Sequence, residues 1–270
     1  MPRRYHRCTL HSAAMEGIVV LAAALAFSHA LPPGVYRSAG LGEDADPHKY
    51  PWLGALYTDD MFHCNAAVLN DSWILTNHLC LNFRLNNAWF GRYDLSVDEP
   101  SGQRRTFAEV VGHPQFNGTN FNYDFALLKL STPLEFNEYV SAVALPNGDD
   151  DIQDATCTAT GWNVYNRPDT YDPQGLDQLQ VVPQKDCEEK YGPDRDYLVT
   201  ETKFCASYAV CDDNLLQYAL AAPMVCAKQD GKPQLSGLVE FATSCTKPRP
   251  PLVNRVGAAV KWITATITSK

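Results

Sequence analysis

Short runs rich in β-branched and aromatic residues recur along this chain between turn-forming residues, and no other pattern in it constrains the fold as tightly. They are Trp52 to Tyr57, Ala66 to Leu69, Trp73 to Thr76, Phe125 to Leu130, Cys157 to Trp162, Pro223 to Cys226 and Leu235 to Phe241. Runs of this kind predict antiparallel strands and an all-β protein. Near the end, Val256, Val260, Ile263 and Ile267 fall at steps of four, three and four, on one face of a helix that closes the fold. At 270 residues the chain exceeds an average domain, yet all-β units of this length with one shared core are common. Its 16 Gly and 18 Pro, with 20% charged residues, exclude a collagen-like or disordered chain. The sharpest charge run, Asp149, Asp150, Asp151 and Asp154, reads as a solvated linker.

The first thirty residues read as an address. Arg3, Arg4 and Arg7 precede an apolar run from Gly17 to Phe27, and Ser28-His29-Ala30 offers small residues where signal peptidase reads them. The run has 11 residues, whereas a helix crossing a bilayer takes about 20, so a removable leader over residues 1–30 is favoured over a membrane span. Met15 is an alternative start. Losing the leader takes away three Arg and one Glu, which leaves 19 basic against 30 acidic side chains, a charge of −11. Such a surface repels nucleic acid and anionic lipid, so neither is an expected partner.

Cys8 leaves with the leader. Eight cysteines remain, at positions 64, 80, 157, 187, 205, 211, 226 and 245, an even number suited to an oxidising compartment. No Cys-x-x-Cys or His pair at ligand spacing points to zinc, and no cofactor is expected. Asn70-Asp71-Ser72 and Asn117-Gly118-Thr119 are glycosylation acceptors in form, although such tripeptides also arise by chance.

Tyr50-Pro51-Trp52, His63-Cys64, Trp73-Ile74-Leu75-Thr76, Asn122 to Leu130, Cys157 to Trp162, Lys203-Phe204-Cys205-Ala206 and Pro223 to Cys226 resemble, in order, segments of the chymotrypsin-like serine proteases. The resemblance runs from Ala39 to Lys270, leaving residues 31–38 as a short N-terminal segment. It implies two six-stranded antiparallel β-barrels with a cleft between them and a C-terminal helix. It also implies four bridges: Cys64 with Cys80, Cys157 with Cys226, Cys187 with Cys205, and Cys211 with Cys245, though Cys211 lies earlier than the family places it.

The family's chemistry needs a hydroxyl nucleophile, an imidazole base and a carboxylate that orients the base. The resemblance assigns the carboxylate to Asp124, but Leu79 takes the base position in Thr76-Asn77-His78-Leu79-Cys80, with His78 one place early. Leu220 takes the nucleophile position in Tyr218-Ala219-Leu220-Ala221-Ala222-Pro223. Tyr218 replaces an oxyanion-hole glycine, and Ala219 replaces the aspartate that pairs with a freed N-terminus. Cleavage after Arg37 would expose Ser38, followed by Ala39-Gly40-Leu41-Gly42 where the family has its Ile or Val. The specificity pocket is altered too: Asn214 stands at its base, and Ala242 and Pro251 replace glycines along a wall that begins at Gly237. Arg92 and Gly102 stand where the family's calcium loop has acidic ligands.

Glu240 replaces a serine that in the family bonds the triad aspartate. Turned inward it would set two carboxyls together and raise one titration; the favoured orientation is outward, into solvent. The favoured function is a secreted, catalytically dead homologue that binds an extracellular protein such as a protease, inhibitor or receptor, with a storage or structural protein as the competitor. A residual hydrolase pairing His78 with Ser207 or Ser236 is the contrasting class.

Overall fold

The computed structural model describes residues 43–44, 46–148, 152–153, 155–162, 174–192, 198–206, 219–227, 232–241 and 250–269. All of them lie within the unit Tyr36–Lys270. After a two-residue strand β1 (Glu43–Asp44), six strands close the first barrel: β2 (Leu53–Thr58), β3 (Met61–Val68), β4 (Trp73–Thr76), β5 (Asn87–Phe90), β6 (Gln103–Gly112) and β7 (Ala126–Leu130). Their order around it is β2-β3-β4-β7-β6-β5, with β5 returning to β2. The second barrel comprises β8 (Thr156–Gly161), β9 (Gln174–Val182), β10 (Lys203–Ala206), β11 (Pro223–Ala227), β12 (Gln234–Phe241) and β13 (Leu252–Arg255), in the order β9-β10-β13-β12-β11-β8. Pairing of β8 with β9 closes it, and β1 adds to β9 from outside. The expected two six-stranded barrels and C-terminal helix are therefore present.

Each barrel buries its inward residues around its own core, as the period-two geometry of strands requires. Leu56, Val68, Ile74, Phe90 and Leu128 fill the first, and Ala159, Leu179, Phe204, Met224 and Val253 fill the second. A third cluster of Leu75, Phe125, Leu127, Val225, Leu238 and Ile263 joins strands of both barrels to helix α2 (Val256–Ser269). Val256, Val260 and Ile263 are buried and Ile267 packs partly against this cluster, so the stripe legible in the sequence is the docking face. A shorter helix α1 (Gln184–Tyr191) was not foreseen; its Cys187 is bonded to Cys205 of β10. Among the described residues no helix is long and apolar enough to cross a membrane.

Three of the four expected bridges are formed: Cys64–Cys80, Cys157–Cys226 and Cys187–Cys205. Cys211 and Cys245 lie outside the described residues, as do Arg37, Ala39 to Gly42, Ser207, Asn214, Tyr218, Ala242 and the acidic run at 149–151 and 154.

Candidate functional site

Two of the family's triad positions, Leu79 and Asp124, are joined by a hydrogen bond. Thr76 ends β4, and the chain turns through Asn77 into a 3-10 helix, His78–Phe83, pinned by the Cys64–Cys80 bridge. Leu79 sits in the first turn of that helix, half-buried, and its backbone N–H donates to Asp124 Oδ1 at 2.8 Å. Asp124 precedes β7 and is wholly buried. Opposite it, Leu220 packs partly against the first barrel's core, and its carbonyl accepts from both the backbone N–H and the side-chain Nδ2 of Asn65, at 2.9 and 3.1 Å.

His78, the nearest imidazole in sequence, is directed elsewhere. Its ring stacks on Phe116 with centroids 3.9 Å apart and covers Gly112, where an added Cβ would lie 2.5 Å from the ring. Burial lowers its pKa. Neighbouring side chains on a tight turn point in different directions, which explains why a one-place offset is not made good. Ser236 is buried with its hydroxyl turned to Gln234 O at 3.3 Å, so it does not meet an imidazole either.

The loop carrying Leu220 has a conformation of its own. Ala221 has φ 61°, a left-handed backbone that disfavours a Cβ and suits the glycine found there in the family. Four backbone bonds hold it: Ala222 N to Ala219 O at 3.0 Å, Ala221 N to Val239 O at 2.9 Å, Val239 N to Ala222 O at 2.9 Å, and Asn65 N to Leu220 O. Asn65 also accepts from Trp162 N at 2.9 Å through Oδ1. This buried side chain thus joins β3 of the first barrel to the end of β8 and to the Leu220 loop of the second.

Glu240 departs from the sequence expectation. It is buried, 3% exposed, and its Oε1 accepts from Lys203 Nζ at 2.7 Å. A bulge turns it inward: the β12–β13 register shifts between Val239 and Phe241, and such a bulge re-aims the side chain it inserts. Lys203, the first residue of β10, is fully buried and bonds Asn120 O at 2.8 Å with the same ammonium. Burial pushes Asp124 up to about 7 and Glu240 up to about 8, while the Lys203 ammonium pulls both down. Asp124 Oδ2 and Glu240 Oε2 are each buried without a hydrogen-bond donor. Glu240 bonds the one ammonium directly while Asp124 is acted on by it only through space, and two buried carboxyls sharing one cation favour retaining one proton, because a second ionisation leaves an uncompensated buried charge.

Sequence reasoning passed over Lys203, Asn65 and Asn254. Asn254 is fully buried on β13 and its Nδ2 reaches Asn77 Oδ1 at 3.5 Å; Asn77 in turn donates to Val239 O at 3.0 Å. The signal that was available was a lysine opening an apolar run, Lys203-Phe204-Cys205-Ala206, all four residues of which are buried.

The remaining candidates stand apart from the cleft. Pro251 is buried, and its carbonyl accepts from Ala206 N at 3.1 Å. In Gly237 an added Cβ would collide with Val253. Asn70 and Asn117 occupy separate turns; Asn117 is exposed, whereas half-buried Asn70 accepts two backbone bonds, from Ser72 N and Trp73 N. Arg92 fills its loop with a guanidinium that donates to the carbonyls of Leu95 and Val97 and lies 3.6 Å from Asp98. No cluster of metal-ligating side chains occurs among the described residues.

Comparison with known proteins matches residues 40–263 to the family described as Trypsin. Kallikrein 1-related peptidase b1 of Mus musculus is 28% identical over 265 residues, which span 93% of this chain and 97% of that protein. Among solved structures, neuropsin, a serine protease expressed in the limbic system of mouse brain, is similar with a TM-score of 0.71. The match covers 84% of this chain and 98% of neuropsin at 24% identity, a likeness of fold.

Proposed function

We infer that this chain, which belongs to the trypsin family over residues 40–263, is a secreted, non-catalytic serine protease homologue that acts by binding an extracellular protein as regulator, cofactor or decoy. The observation that carries this reading is the pair of aliphatic side chains, Leu79 and Leu220, at the base and nucleophile positions. Neither can take or give a proton, and losing the nucleophile alone costs a serine protease about a millionfold in kcat. The Leu79 N–H on Asp124 Oδ1, the ring of His78 stacked on Phe116 and the Cβ of Ala221 in the loop all agree with it. What persists is a rigid pair of bridged barrels carrying surface loops, which is the part of the fold that recognition uses. The leader at residues 1–30 and glycosylation at Asn70 and Asn117 belong to the same reading.

Two measurements test it. A fluorophosphonate probe applied to the purified mature protein should leave it unlabelled; covalent labelling would refute the loss of catalysis. Cross-linking in the native fluid should recover a stoichiometric protease, inhibitor or receptor, whereas recovery of the abundant protein alone would favour storage.

A further inference from the structure

The segment from Asn117 to Asp124 leaves the first barrel, is fastened to the second, and returns. Within it, Asn117 N bonds Asn122 O at 3.1 Å and Phe121 N bonds Asn117 O at 2.7 Å. Phe121 and Tyr123 hold φ of 54° and 52°, left-handed backbone that is unfavourable for side chains of this size and persists only where the surroundings enforce it. The enforcement comes from β10 and the turn before it: Lys203 Nζ bonds Asn120 O, and the hydroxyls of Thr200 and Thr202 bond Asn122 Oδ1 at 2.9 and 3.3 Å. The Lys203 ammonium also lies 5.9 Å from the centre of the Phe121 ring.

We propose that Lys203, Glu240 and Asp124 form a one-proton lock that fastens this strap to the second barrel and releases it when the proton leaves. All three groups are buried, and a single ammonium divides its donors between Glu240 Oε1 and the strap carbonyl of Asn120. With one proton on the two carboxyls the cluster is neutral. That proton also supplies a donor among two oxygens, Asp124 Oδ2 and Glu240 Oε2, that otherwise have none. Its departure leaves two carboxylates competing for Lys203 in a low-dielectric interior. The ammonium is then drawn from Asn120, and the left-handed residues lose the contact that holds them.

The other elements packed around the cluster contribute little charge. The strand β13 presents neutral Asn254, which favours the ionised Asp124, and Arg255, whose guanidinium lies 5.2 Å from the centre of the Phe204 ring; the end of β4 leads into neutral Asn77 and the Leu79 N–H. His78 lies against Phe116, and His113 stacks on Tyr123 of the strap with centroids 4.6 Å apart. Burial lowers both histidines, His113 to about 4, which favours their neutral forms. Glu201, on the turn before β10, is exposed. The carboxyls of the cluster are thus the groups that titrate here above neutrality.

Hydrogen–deuterium exchange of the full-length protein, corrected for the intrinsic pH dependence of exchange, tests the lock. Between pH 6.5 and 8.5 the opening of residues 117–124 should rise about tenfold, the response to about one unit of titration, while helix α2 stays unchanged. Asp124→Asn, which keeps the shape and cannot ionise, should flatten the dependence to less than about twofold. If that variant does not fold, Glu240→Gln carries the same expectation. A wild-type strap whose protection is constant over this range, or a folded variant that keeps the wild-type dependence, overturns the proposal.

Discussion

The two ends of one cleft have diverged in opposite directions. At the base and nucleophile end, Leu79 and Leu220 are aliphatic, and the polar contacts are the Leu79 N–H on Asp124 and those of the neutral Asn65. At the carboxylate end, Asp124 stays and is joined by Glu240 and Lys203, which makes that interior more charged. The lesson is that aliphatic side chains at one end of a site need not relax the whole of it. Apolar replacements at one end are self-sufficient, whereas Glu240 against Asp124 is tolerable only with a compensating cation, and β10 supplies it.

The comparison breaks most sharply at Lys203. Lys203→Met removes the cation and leaves two buried carboxyls, and unpairing a buried ion of this kind costs about 3–5 kcal/mol. Urea unfolding should show that loss. Lys203→Met combined with Glu240→Leu removes both charges and should recover most of it; a double variant no more stable than the single one would show that packing of the lysine stem dominates. At the uncharged end, Asn65→Ala removes the side-chain bonds to Leu220 O and Trp162 N and strands a buried N–H. That should cost about 2–3 kcal/mol, measured in the same way, and a loss under about 1 kcal/mol would deny Asn65 its joining role.

The ends should also part in their response to pH. Asp124 and Glu240 have folded pKa values, about 7 and about 8, raised above the unfolded range near 4. Their stabilisation is complete below about pH 4 and is lost as pH rises through the folded values, because the native state holds the extra proton. His78 and His113 are shifted down, so their contribution is present above about pH 6.5 and lost on acidification. Between pH 6.5 and 8.5 the carboxyls should lower the unfolding free energy by about 2 kcal/mol, offset in part near pH 6.5 by His63, His78 and His113, whose unfolded forms are still half protonated there. Asp124→Asn should remove most of that slope. A flat profile in the wild type would mean that the cluster is already fully ionised in the folded state.

How far the sequence revealed these features depended on what each feature rests on. The strands and the closing helix were legible from β-branched and aromatic runs and from helical spacing, while the two-barrel arrangement and three bridges followed from a resemblance carried by many segments in order. Strands β5 and β6 did not stand out: β6 alternates between half-buried and exposed positions and includes Gln103, Arg104, Arg105 and Glu109, so its apolar signal is weak. The orientation of Glu240 was misjudged for a different reason. Whether a carboxylate points inward depends on a one-residue bulge in β12 and on a lysine 37 positions earlier in the chain. Neither is a local property, and burying an acid is unfavourable until its partner is known.

The smallest effect is expected farthest from the cleft, in the loop between β5 and β6. Arg92, only 7% exposed at its side chain, lies over Trp89 at 4.6 Å and donates to the carbonyls of Leu95 and Val97. Glu99 takes the N–H groups of Tyr93 and Asp94 at 2.9 and 2.8 Å, so its carboxylate is occupied by the loop itself. A fixed guanidinium thus gathers the oxygens that a bound divalent ion would otherwise use, and its charge repels such an ion at the same spot. Adding calcium or a chelator should accordingly shift the melting temperature by less than about 1 °C, below the shift of about 2–4 °C that about 1 kcal/mol produces in a domain approaching this size. Arg92→Glu supplies the sharper arm, since it replaces the internal cation with a hard oxygen ligand facing the same carbonyls. It should lower the melting temperature without calcium and regain part of the loss with it. Calcium stabilisation of the wild type would show that the guanidinium does not fill the site.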